Sequence, residues 1–139
     1  MPTFLPDTSI WSWANTGRRP DIAAKLTERL ERDEVATCHP VVIEYLHRAR
    51  SGGEYEFLLT SLFDPLHWCE LNRQVAARAF EVQRGMAFRK DGNHRRPAVD
   101  YLVAAAAELA GPDVVLWAFD RDLRVICEHT GQPHEIETA

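Results

Sequence analysis

The sequence has little cysteine and no cysteine pair. Cys38, Cys69 and Cys127 stand far apart, with no Cys-x-x-Cys. An odd count without close spacing excludes a disulfide framework and a cysteine-built zinc site, and it reads as buried, reduced thiols. Long apolar runs are also missing. Nothing approaches the roughly 20 residues of a membrane span, and Met1-Pro2-Thr3-Phe4-Leu5-Pro6-Asp7 lacks the basic and apolar stretches of a secretory signal. A cytoplasmic location without membrane contact is the resulting expectation. Excess positive charge is absent too: the net charge is −5. Binding of nucleic acid by bulk charge is thereby disfavoured, so such a role would need a local basic patch or bound cations.

What is present is ordinary globular composition, 45% apolar and 27% charged over 139 residues. That length suits one domain, residues 1–139, with a core of its own. Short apolar segments alternate with helical patterns. Thr3-Phe4-Leu5 and Val35 to Cys38 read as strands, as do Pro65 to Cys69, Val114 to Phe119 and His134 to Ile136. Val114 to Phe119 is continuously apolar, as expected of a central parallel strand covered on both faces. Helices are expected after Asp7, from Pro20, and from His39-Pro40 to Arg50, where Ser51-Gly52-Gly53 would end them. Further helices are expected over Tyr55 to Leu62, Glu70 to Gly85, Val99 to Ala110 and Leu123 to His129. The alternation predicts an α/β domain with a mostly parallel sheet of about five strands, flanked by helices on both faces.

Four acids fall where strands give way to helices: Asp7, Glu44, Asp100 and Asp120. Ligands of open parallel sheets bind beyond the carboxyl ends of the strands. Carboxylates gathered there repel one another unless a cation lies among them, and oxygen-only donors suit Mg²⁺ or Mn²⁺. Each acid also has a structural reading. Asp7 could cap the helix that follows it, and Asp100 could complement a helix dipole. Glu44 lies within Val41-Val42-Ile43-Glu44-Tyr45-Leu46, where a carboxylate is costly unless it is paired or binds metal. Asp122 stands two residues after Asp120 and could assist.

Phe4-Leu5-Pro6-Asp7-Thr8-Ser9, Val41-Val42-Ile43-Glu44, His94 to Ala105, Phe119-Asp120-Arg121-Asp122-Leu123 and Thr130-Gly131-Gln132-Pro133 occur in an order that resembles PIN-domain ribonucleases. Within them, the resemblance is to the VapC toxins of bacterial VapBC toxin–antitoxin pairs, and it spans essentially the whole chain. It implies a PIN fold and an endoribonuclease dependent on Mg²⁺ or Mn²⁺, with a VapB-type antitoxin as partner and a homodimer as assembly. It also implies that Asp7, Glu44, Asp100 and Asp120 hold the metal, with Asp122 auxiliary. Two positions depart from the family pattern: Ala118 stands where a threonine or serine is common, and Leu123 where an aromatic is common.

Arg89, Lys90, His94, Arg95 and Arg96 form a basic cluster leading into Asp100. RNA phosphate contact through Arg95 and Arg96 is the functional reading, and pairing of either with nearby carboxylates is the other. Thr8 and Ser9 could bind phosphate or simply shape a turn. Trp11, Trp13 and Trp68 belong to the core or to a partner surface. Two other functions compete: a degenerate PIN-like module that binds RNA or protein, and a phosphatase using Asp7 as nucleophile. The phosphatase would want an acid two residues on, where Ser9 stands.

Overall fold

A computed structural model describes residues 1–119 and 121–138. Strands β1 (Thr3–Pro6), β4 (Val114–Ala118) and β5 (His134–Ile136) form a parallel sheet in the order β1-β4-β5. Strands β2 (Ala36–Thr37) and β3 (His67–Trp68) form a second parallel pair. A single parallel bridge between Phe4 and Val35, with a 2.7 Å bond from the Phe4 amide to the Glu34 carbonyl, joins the two sets. The spatial order is therefore β3-β2-β1-β4-β5. The predicted parallel architecture is present, but β2 and β3 are shorter than the sequence implied. His39-Pro40 begins a helix immediately after Cys38, and proline cannot extend a ladder.

Helix α1 (Thr8–Thr16) ends at Gly17, whose φ of 74° is the left-handed cap that glycine adopts freely. Helix α2 (Pro20–Glu31) starts on proline, as does α3 (His39–Leu46) within its first turn. Ser51-Gly52-Gly53 does not terminate α3, contrary to expectation. The Ser51 hydroxyl accepts the Glu54 amide at 3.1 Å and caps the start of α4 (Gly52–Leu58), which runs on into a π-helical turn, Leu59–Phe63. Helix α5 (Arg73–Ala87) likewise starts later than predicted. Asn72 caps it by accepting the Val75 amide at 3.0 Å, leaving Leu71 exposed outside the helix. Helices α6 (Ala98–Ala110) and α7 (Arg121–Thr130) complete the chain.

Alternation along β1 and β4 divides the core. Phe4 and Trp117 face α2, whose Arg29 guanidinium lies 3.6 Å from the Phe4 ring centre and 4.3 Å from that of Trp117. Arg29 also pairs with Glu135 at 3.0 Å, and Lys25 pairs with Glu137 at 2.7 Å, so α2 ties the last strand to the sheet. Leu5 and Leu116 point to the opposite face. The right-handed crossover rule places α5, α6 and α7 there, and α6 packs on β4 and on both of those helices. All of β4 from Leu116 to Ala118 is fully buried.

The three cysteines are buried and free, as the sequence indicated. Burial pushes the Cys38 and Cys127 thiols up to about 12. Both should therefore resist iodoacetamide at pH 8 in the native protein and react on unfolding, read by mass spectrometry. Leu116→Ala should cost about 2–5 kcal/mol in urea denaturation, since it empties a fully enclosed site.

Candidate active site

The strand order reverses between β1 and β4, which makes the carboxyl ends of these two strands the switch point of the sheet. Asp7 is the residue that leaves β1 there. Its amide donates to the Trp117 carbonyl at 2.9 Å, extending the ladder by one step. It occupies the cap position of α1, yet its carboxylate makes no capping bond. The cap is made by its backbone carbonyl, which accepts the Ile10 amide at 3.1 Å. Capping therefore does not account for the aspartate side chain.

The Ser9 hydroxyl donates to Asp7 Oδ1 at 2.5 Å and accepts the Phe119 amide at 3.1 Å. One hydroxyl thus links the exits of β1 and β4. Its single proton is directed at Asp7, so Ser9 acts on Asp7 in this geometry and presents no proton to a phosphate. Thr8 is half-buried in the first turn of α1.

Asp100 lies in the first turn of α6. That helix leads through Gly111 into β4, so its amino end returns to the carboxyl edge of the sheet. Asp7 is only 6% exposed and Asp100 7%. Asp122 lies in the first turn of α7, at the same edge. Asp120, the fourth acid of the sequence pattern, lies outside the described residues. Among the described residues no three His, Cys, Asp or Glu side chains gather as a complete cage for an ion.

Glu44 corrects the sequence reading. It was singled out as a carboxylate in an apolar setting, but it is exposed, as is its neighbour Ile43. The helical period explains this: Val41, Val42, Tyr45 and Leu46 take the buried face of α3, and the two residues between them turn outward. The sequence placed this stretch in a helix correctly, but apolar neighbours along the chain do not tell which face of that helix Glu44 takes. Helix α3 does pack against both α1 and α6, the helices that carry Asp7 and Asp100.

Arg96 takes the second of its two sequence readings, pairing with a carboxylate. It donates to Asp122 Oδ1 and to Asn93 Oδ1, and its side chain is only 11% exposed. Arg95 beside it is exposed. Tyr101 donates to the His94 carbonyl at 2.5 Å. Burial raises the Tyr101 pKa, opposed by the positive charge of Arg96 and reinforced by Asp122 and Asp100. Those three charges therefore share one neighbourhood. Asn93 and Tyr101 had no signal in the sequence, because their role depends on how the loop before α6 folds back.

The tryptophans are largely structural. Trp11 is buried, with its ring centre 4.9 Å from that of Phe63, and so cannot serve a partner surface. Trp13 stacks on Phe119 at 5.5 Å. Trp68 Nε1 donates to the Phe63 carbonyl at 3.0 Å.

The PIN domain profile matches residues 4–128. The chain belongs to the PIN-domain family. Ribonuclease VapC18 of Mycobacterium tuberculosis is 34% identical over 133 residues, spanning 95% of this chain and 93% of the relative. Ribonuclease VapC21 of the same organism is 31% identical over 117 residues, spanning 84% and 82%. Among solved structures, the DNA-bound VapBC of Salmonella typhimurium superposes with a TM-score of 0.72 at 15% identity, over 98% of each chain. FitAcB of Neisseria gonorrhoeae gives 0.67 at 17% identity, over 95% of this chain and 96% of the other. At such low identity these two establish the PIN fold alone, which agrees with the sheet order described above.

Ser9→Ala would remove the acceptor of the Phe119 amide and one hydroxyl bond to Asp7. The expected cost is about 1–3 kcal/mol, measured by urea denaturation, with Ser9→Thr retaining most of the stability.

Proposed function

We propose that this PIN-domain chain is the toxin ribonuclease of a VapBC-type pair, and that it hydrolyses RNA phosphodiester bonds at the carboxyl edge of its sheet. The observation that carries this reading is the pair of buried aspartates, Asp7 and Asp100, delivered to the switch point by β1 and α6. Two carboxylates removed from water at one edge are costly unless a cation compensates them, and hard oxygen donors match Mg²⁺ or Mn²⁺. Asp7 and Asp100 would hold the ion together with Glu44 and Asp120, and Asp122 would assist. The bound ion supplies Lewis acidity toward a phosphodiester and a nucleophile from water.

The rest of the chemistry belongs to the chain. Ser9 fixes the orientation of the Asp7 carboxylate. Helices α1, α6 and α7 all begin at this edge, and their amino ends favour the phosphate of an incoming strand. Arg95, exposed on the loop before α6, offers the local positive charge that an acidic protein needs to hold RNA, and Thr8 offers a hydroxyl beside Asp7. A protein partner is supported by large apolar side chains left exposed on α3 and α4, Ile43 at 66% and Phe57 at 68%. A VapB-type antitoxin is the proposed occupant, a homodimer the proposed assembly and the cytoplasm the proposed location. Among the described residues no helix is long and apolar enough to cross a membrane.

RNA cleavage by the purified chain, free of antitoxin, should stop with EDTA and return with Mg²⁺ or Mn²⁺. Asp7→Asn should lower the rate by at least about a hundredfold, given the several kcal/mol a metal centre contributes. Mn²⁺ should raise the melting temperature of the wild type more than that of Asp7→Asn. Full cleavage by a folded Asp7→Asn protein would sink the assignment.

A further inference from the structure

We propose that Arg96 is the resident counter-cation of the acidic edge. It holds the carboxylates at the starts of α6 and α7 together when no divalent ion is bound, and so acts as a positioning residue rather than an RNA contact. This rests on the metal-dependent reading above.

The geometry is that of an internal group. The Arg96 guanidinium bonds Asp122 and Asn93, and its side chain is 11% exposed against 33% for Asp122. Its Nε is buried and has no hydrogen-bond partner among the described residues. A guanidinium kept for binding RNA would keep its donors in water. One that gives up solvent and leaves a donor unmet must be compensated locally.

Its position sharpens the point. Arg96 stands one residue before Pro97, the cap of α6, and reaches the first turn of α7. The amino ends of two helices are positive, so a cation is disfavoured between them. Only the neighbouring carboxylates outweigh that penalty. Asp122 pairs with Arg96 directly. Asp100 stands in the first turn of α6, four residues after Arg96 and on the same helix start. Arginine suits the task because its planar fork can engage Asn93 and Asp122 at once and stays charged when buried. A divalent ion among these acids would supply the same compensation, so ion and arginine should be partly interchangeable.

The test compares thermal melting of the full chain in EDTA for wild type, Arg96→Gln and Arg96→Lys, alone and combined with Asp100→Asn. Arg96→Gln should melt several degrees below wild type, and Arg96→Lys should recover most of the loss. In the Asp100→Asn background the loss should be clearly smaller, because less negative charge remains to be balanced. An equal loss in both backgrounds would mean that Arg96 only makes structural bonds, and would overturn the proposal. An unchanged melting temperature for Arg96→Gln would do the same. Should Arg96→Gln fail to fold alone, recovery of folding by Asp100→Asn is the expected result, and failure in both backgrounds the overturning one. Adding Mn²⁺ should stabilise Arg96→Gln more than wild type, and a smaller or equal shift counts against interchangeability. A wild type that Mn²⁺ leaves unmoved defeats the metal-dependent reading, while the EDTA comparison still decides the role of Arg96.

Discussion

The parallel pairing of β1 with β4 is the constraint on which the rest depends. Parallel strands deliver every strand-to-helix junction to the same edge, and the reversal of strand order opens a crevice between these two. Asp7 follows β1 into that crevice. Helix α6 must run back along the sheet to reach β4, so Asp100 arrives at the same place from the opposite chain direction. Residues 93 positions apart in sequence come to one edge of the sheet because the topology leaves their helices no other way to start.

Gathering acids has an electrostatic cost, and the fold meets it in stages. Asp7, Asp100 and Asp122 each sit at the amino end of a helix, where the dipole favours negative charge. The Ser9 hydroxyl and the Arg96 guanidinium then add directed hydrogen bonds to Asp7 and Asp122. The edge thus carries its acids together with an internal cation and three helix dipoles, which is the setting the proposed RNA-cleaving chemistry would use. The clamp of Arg29 and Lys25 on Glu135 and Glu137 secures the far side of the sheet by similar means, so that β4 is held from both flanks.

Much of this was legible in the chain. The continuous apolar run of β4, the proline starts of α2 and α3 and the alanine-rich α6 follow from local preference and periodicity, and the structure repeats them. The ordered acids revealed the family. The errors lie where local patterns conflict with something longer-ranged. Glu44 was expected in an apolar setting and is exposed, because a short apolar stretch does not disclose helical phase. Ser51-Gly52-Gly53 stops one helix as readily as it starts another, and only the bond from Glu54 to Ser51 decides which. Arg96 had two readings in the sequence, RNA contact and pairing with a carboxylate, because charge can be read from a sequence and burial of a loop residue cannot. Its partners, Asn93 and Asp122, are set by how that loop meets α7.

The bridge made by Ser9 carries one further consequence. A carboxylate on a surface loop rotates freely, and any ligand that captures it must first stop that rotor. Here a neighbouring hydroxyl, itself fixed by the Phe119 amide, stops it while the chain folds. The conformational entropy is surrendered once, during folding, and not again at each encounter. Any ligand of Asp7 would therefore meet a carboxylate already aimed.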